Sequence, residues 1–173
     1  MGEERCRQRT GQIGMQTQSV VDQIRQRLSG IADNYNRLVL LVGPSGSGRT
    51  AVLRALADAE KVPVLNVGAE ISRRLLDLTE RQRVLQLPKL VEEAVAGLPG
   101  NLTVLDNTEV LFNPVLKQDP LRLLQGLSRD RTIVASWLGD VDGGHLTYAV
   151  PEHPEFRRYP SADLLVVCVR QKV

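Results

Sequence analysis

Aromatic residues are scarce, with one tryptophan, three tyrosines and two phenylalanines among 173 residues. Cysteine is scarcer: Cys6 and Cys168 stand at opposite ends, with no C-x-x-C or His-rich spacing that would signal a metal or redox site. That usage points to a reduced, cytoplasmic chain. No segment approaches the roughly 18 apolar residues of a membrane span, and the opening MGEERCRQRTGQIGMQTQ lacks the apolar core of a signal peptide. Membrane association is therefore not expected. Charge of one sign is also missing, since 22 basic and 20 acidic residues leave a formal +2. A nucleic-acid role would need local clustering rather than a global field.

What is present suits one compact domain. Residues 1–16 read as an Arg- and Gln-containing flexible tail, and residues 17–173 as the folded unit. Ser19 is placed to cap a helix whose apolar positions Val20, Ile24, Leu28 and Ile31 recur at about one turn. The apolar run Leu38–Val42 suits a strand buried on both faces of a parallel sheet. Helix-forming residues 51–57 follow, then a second strand over 62–67. From Ala69 to Ala96 the pattern is helical but punctuated: Thr79 and Gln82 spell a capping box, and Pro88 reads as the start of another helix.

Strands over 102–105 and 132–136 flank a helix over 120–127, and Leu164–Val169 is a fifth strand as apolar as the first. Strands alternating with helices predict an α/β fold, a three-layer sheet of about five parallel strands with helices on both faces. Residues 139–161, with three prolines and both histidines, break the rhythm and read as a long irregular segment.

The chemistry concentrates at the end of the first strand. Gly43-Pro44-Ser45-Gly46-Ser47-Gly48-Arg49-Thr50 fits the phosphate-binding pattern G-x-x-x-x-G-K-[ST] except that arginine replaces lysine. The glycines let successive N–H groups face a phosphate, the next helix adds its positive end, and Thr50 offers a hydroxyl to Mg²⁺. Arg49 keeps the charge but brings a planar, bulkier fork. Asp106, closing the third strand, is a second candidate Mg²⁺ ligand. Asn107 beside it can orient a water but cannot take its proton, whereas Glu109 is able to act as a base or to form a salt bridge. Ser136 at the end of the fourth strand can bond a γ-phosphate or the attacking water, or cap a turn. Arg157 and Arg158 are candidates to reach the nucleotide of a neighbouring subunit. ATP and Mg²⁺ are thus the expected ligands.

These motifs, in this order, resemble the core of AAA+ or initiator-type P-loop ATPases. The resemblance implies an AAA+-like sheet, a sensor role for Ser136 and a homo-oligomer; AAA+ proteins normally continue into a helical lid domain, and in that respect this chain is expected to depart from the pattern, as an AAA+-like core without a helical lid domain. GPSGSGRT, the DNTE segment and YAVPEHPEFRRY together resemble the BrxF family, small P-loop proteins of bacteriophage-exclusion (BREX) operons. That resemblance implies other phage-defence proteins as partners. DNA is a further candidate partner through Arg73, Arg74, Arg81 and Arg83, extended by Arg5, Arg7 and Arg9, although no aromatic residue is interleaved there to stack bases. Two other classes fit the same loop: a small-molecule kinase with residues 139–161 as its lid, and a scaffold that binds nucleotide without hydrolysing it.

Overall fold

The computed structural model describes the backbone of residues 2–170 and the side chains of residues 14–170. Five strands form the parallel sheet in the order β2-β3-β4-β1-β7: β1 (Leu38–Gly43), β2 (Val64–Asn66), β3 (Leu102–Asp106), β4 (Thr132–Asp142) and β7 (Leu165–Cys168). Two further strands, β5 (His145–Tyr148) and β6 (Arg157–Pro160), extend β4 as an antiparallel ribbon. The expected fold class holds, and all five expected strands are present. Pro63 shortens the second, because a residue without an N–H cannot donate to the ladder.

Every residue of β1 is buried, and its alternation divides the core into two layers. Val39 and Leu41 face α1 (Gly2–Ser29) and α2 (Arg49–Glu60), packing with Ile24, Leu53 and Leu56. Leu38, Leu40 and Val42 face the other side, where Ile71, Val91 and Leu124 come from α3 (Val67–Leu75), α4 (Glu80–Ala96) and α5 (Pro120–Leu127). A strand apolar on both faces is stable only between two such layers.

Register then places the chemistry. Leu41 lies opposite Ser136, Gly43 opposite Leu138, and Asn66 opposite Asp106. The carboxyl ends of β1, β3 and β4 therefore share one edge of the sheet.

Four expectations change. Helix α1 runs through Ser19, so that residue caps nothing, and the backbone of residues 2–16, expected as a tail, continues the same helix. Those residues contain no proline, and Glu, Arg and Gln all favour helix. Pro88 lies inside α4 rather than at a helix start. Its missing N–H leaves the Val84 carbonyl without its intrahelical donor, and Gln118 Nε2 donates to that carbonyl at 3.0 Å. A side chain thus repairs what the proline removes.

The fourth change is the largest. Residues 139–161 contain the ribbon, with Asp142 paired to His145 across a two-residue turn in which Gly143 and Gly144 have φ of 52° and 76°. Positive φ at both positions is the turn that matches strand twist, and glycine adopts it freely. At Gly139 any Cβ would collide with the Thr147 carbonyl, so only glycine permits the two strands to approach here. Leu146 and Tyr148 are buried while their neighbours are not. The Gly-Gly turn followed by this alternation is a hairpin signal in the sequence that proline and histidine content obscured.

The ribbon occupies the α3/α4/α5 face, and four of the six aromatic residues are spent fixing it there. Phe112 stacks on Tyr148 with centroids 3.5 Å apart, and Trp137 meets Phe112, Tyr148 and Tyr159 edge-on. Trp137 Nε1 also donates to the Thr147 carbonyl at 2.9 Å. Each aromatic pair contributes about 0.5–1.5 kcal/mol beyond burial.

Candidate functional site

The loop after β1 has the form that a phosphate cradle needs. Gly46 and Gly48 have φ of 73° and 92°, and α2 begins at Arg49 without a side-chain cap. The uncapped first turn leaves N–H groups and a positive dipole end facing the loop. Gly43 admits no Cβ, which would press on Ser47 Oγ and the Val169 carbonyl. Ser47 Oγ is itself buried with no protein partner.

Thr50, in the first turn of α2, donates through Oγ1 to Asp106 Oδ2 at 2.8 Å. The second carboxylate oxygen of Asp106 accepts the Asn107 N–H at 2.9 Å, so the group is fixed in plane. Asp106 is only 5% exposed. A hydroxyl and a carboxylate within bonding reach are hard oxygen donors, the kind Mg²⁺ takes, with remaining positions filled by water or phosphate. The residues present fit that ion.

Arg49 spans the gap to the other strands. Its Nη1 donates to Ser136 Oγ at 2.9 Å, and its Nη2 lies 3.4 Å from Glu109 Oε1. The structure therefore brings together Thr50, Asp106, Arg49, Ser136 and Glu109. Of the two alternatives open for Glu109, the salt bridge is the one formed here.

Asn107 adopts φ 52°, ψ 52° and opens the turn Thr108–Phe112. That left-handed conformation favours Asn over β-branched or bulky side chains. A Cβ at position 68 would lie 3.2 Å from the Asn107 carbonyl oxygen, so Gly68 lets α3 close against this turn. Thr108 Oγ1 donates to the Ser136 carbonyl at 2.6 Å and ties the turn to β4.

Arg157 and Arg158 lie on β6, opposite Tyr148 and Thr147 of β5. Arg157 donates to the Phe156 carbonyl and Arg158 to His145 Nδ1. Tyr148, which sequence reasoning missed, ends β5 near the site. Burial holds its hydroxyl well above the ordinary tyrosine range, reinforced by the negative charges of Glu155 and Glu109 and opposed by Arg49.

The arginines considered for DNA are mostly engaged elsewhere. Arg74 pairs with Glu70 and Glu93, Arg73 with Glu70, and Arg83 donates to the carbonyls of Leu75, Leu76 and Leu78. The side chains of Arg5, Arg7 and Arg9 lie outside the described residues. Among the described residues no helix is long and apolar enough to cross a membrane. A cavity of about 530 Å³ between α4 and α5, beside Pro88, Leu123 and Arg131, contains none of the candidate site residues.

No protein-family model matches the chain, and no curated protein does. Among solved structures, it is similar to Caenorhabditis elegans PCH-2 at 16% identity and a TM-score of 0.45, over 91% of this chain and 42% of that one. It is also similar to AMPPCP-bound DnaA from Aquifex aeolicus at 12% identity and a TM-score of 0.44, over 85% and 44% respectively. The chain spans less than half the length of either structure.

Proposed function

We propose that this chain binds ATP with Mg²⁺ at Gly43–Thr50 and hydrolyses it slowly, or at a rate that a partner sets. The observation that carries this reading is the 2.8 Å bond from Thr50 to Asp106 beside a loop in which Gly46 and Gly48 hold positive φ. Thr50 and Asp106 are the residues that would hold Mg²⁺, which supplies charge neutralisation at the phosphates. The loop N–H groups and Arg49 orient the triphosphate. Glu109 is the candidate base: it takes a proton from the attacking water as oxygen bonds to the terminal phosphorus and the diphosphate leaves. Its pairing with Arg49 is the reason to expect slow turnover, because the carboxylate must leave the guanidinium before it can reach the attacking water.

The wider role follows from the BrxF resemblance. We place the chain as a cytoplasmic regulatory or assembly component of a bacterial BREX phage-defence system, working as a homo-oligomer beside other defence proteins and DNA. Arg157 and Arg158 then serve in trans, at the site of a neighbouring copy. A second reading, nucleotide binding without hydrolysis, is favoured by Asn107 together with the engaged Glu109.

The test is ATP binding and turnover, with and without DNA, for the wild type, Thr50→Ala and Asp106→Ala. Turnover that both variants lose supports the ATPase. Binding without turnover under every condition selects the scaffold, phosphate transfer to a metabolite panel selects the kinase, and no measurable binding by the wild type ends the reading. Arg157→Ala or Arg158→Ala is expected to slow turnover more than it weakens binding. In cells carrying the operon, Thr50→Ala is expected to abolish protection against phage.

A further inference from the structure

Arg49 occupies the position from which a cation meets the terminal phosphate, yet both terminal nitrogens already have protein partners. Its side chain is 12% exposed and that of Glu109 33% exposed. A triphosphate seated in the loop presents more than one full negative charge to this guanidinium, whereas Glu109 presents one. At similar distance the phosphate is the stronger partner.

Glu109 is joined to more than Arg49. It lies in the short turn Thr108–Phe112, which Thr108 anchors to the Ser136 carbonyl. Three residues along the same turn, Phe112 stacks on Tyr148 and meets the edge of Trp137 with ring centroids 4.9 Å apart. Tyr148 ends β5, and its hydroxyl donates to Glu155 at 3.4 Å. A close-packed aromatic cluster transmits a displacement rather than absorbing it.

We propose that the Arg49–Glu109 pair is a latch, closed in the nucleotide-free chain and opened by the terminal phosphate. Opening releases Glu109 for the water and moves the Thr108–Phe112 turn, and with it the β5–β6 ribbon. The trigger rests on the ATP reading of the loop. The grip of the pair on the turn does not.

Trp137 is the sole tryptophan, so its emission reports the cluster directly. In the nucleotide-free full chain, Glu109→Gln is expected to shift Trp137 emission toward that of the wild type bound to Mg²⁺ and a non-hydrolysable ATP analogue. Arg49→Gln is expected to shift it likewise. Glu109→Gln is also expected to tighten analogue binding by about two- to fivefold, since Arg49 no longer has to leave a partner. Emission unchanged in both nucleotide-free variants overturns the latch, even where the wild type binds ATP well. A shift in both variants, combined with no ATP binding by the wild type, supports the grip and overturns the phosphate trigger.

Discussion

Thr50 and Asp106 are 56 residues apart in sequence and 2.8 Å apart in space, joined because β3 ends and α2 begins at the same edge of the sheet. Each has the oxygen the other lacks: a hydroxyl to donate and a carboxylate to accept. Thr50→Ala and Asp106→Asn are therefore expected to weaken the Mg²⁺ dependence of nucleotide binding by about 10- to 100-fold. Titrating Mg²⁺ at fixed ATP measures this, and an unchanged Mg²⁺ midpoint in both variants removes the metal role. Binding without Mg²⁺ is expected to fall much less, since the loop amides remain.

Asn107 departs from the hydrolytic pattern, and its backbone supplies a reason. At φ 52° a β-branched side chain is strained by about 1–2 kcal/mol, while glycine is at ease. Asn107→Val is expected to lower stability by that amount in urea denaturation and Asn107→Gly to leave it nearly unchanged. Equal losses from both would mean that the amide, and not the backbone, is what the position requires.

Much of this was legible in the sequence. The buried run Leu38–Val42, the glycines after it and Asp106 specify their strands and their edge by apolarity and loop chemistry alone, and helix Pro120–Leu127 has the expected bounds. Two things were hidden. The ribbon was masked because Pro151, Pro154 and Pro160 suggest irregular chain, while its real determinants are the Gly143–Gly144 turn and the room that Gly139 leaves for Thr147. The Arg49–Glu109 pair was masked because it joins residues 60 positions apart, and charge alone does not reveal which carboxylate an arginine meets.

Tyr148 and Tyr159 couple the ribbon to pH. Burial is the first cause of the raised value in each, followed by the nearby carboxylate of Glu155 for Tyr148 and of Asp119 for Tyr159. A raised folded value means that the native chain keeps protons which the unfolded chain releases. Their stabilising contribution is thus complete below the ordinary tyrosine value of about 10 and is lost as pH rises above it. Stability is expected to decline from about pH 10 upward, and Tyr148→Phe with Tyr159→Phe is expected to flatten that decline. Denaturant midpoints measured across the alkaline range check the sign; a slope unchanged in the double variant would assign the decline to other groups.

Pro88 and Gln118 form a pair in which one residue creates the need that the other meets. The Val84 carbonyl accepts nothing from position 88, and Gln118 Nε2 bonds both Val84 and Leu116 carbonyls, at 3.0 and 2.9 Å. Gln118→Ala is expected to cost about 1–3 kcal/mol, the range for a shielded acceptor left unpaired. Pro88→Ala restores an N–H at position 88 and removes the clash of the ring with the preceding turn, so it is expected to be neutral or stabilising. Alanine at both positions gives the decisive measurement. With the helix supplying its own donor, loss of Gln118 leaves only the Leu116 bond unmade, and the double variant should lose about 1 kcal/mol less than the sum of the single changes. Additive losses would show that Gln118 stabilises the Leu116 turn and that the carbonyl above Pro88 is satisfied without it.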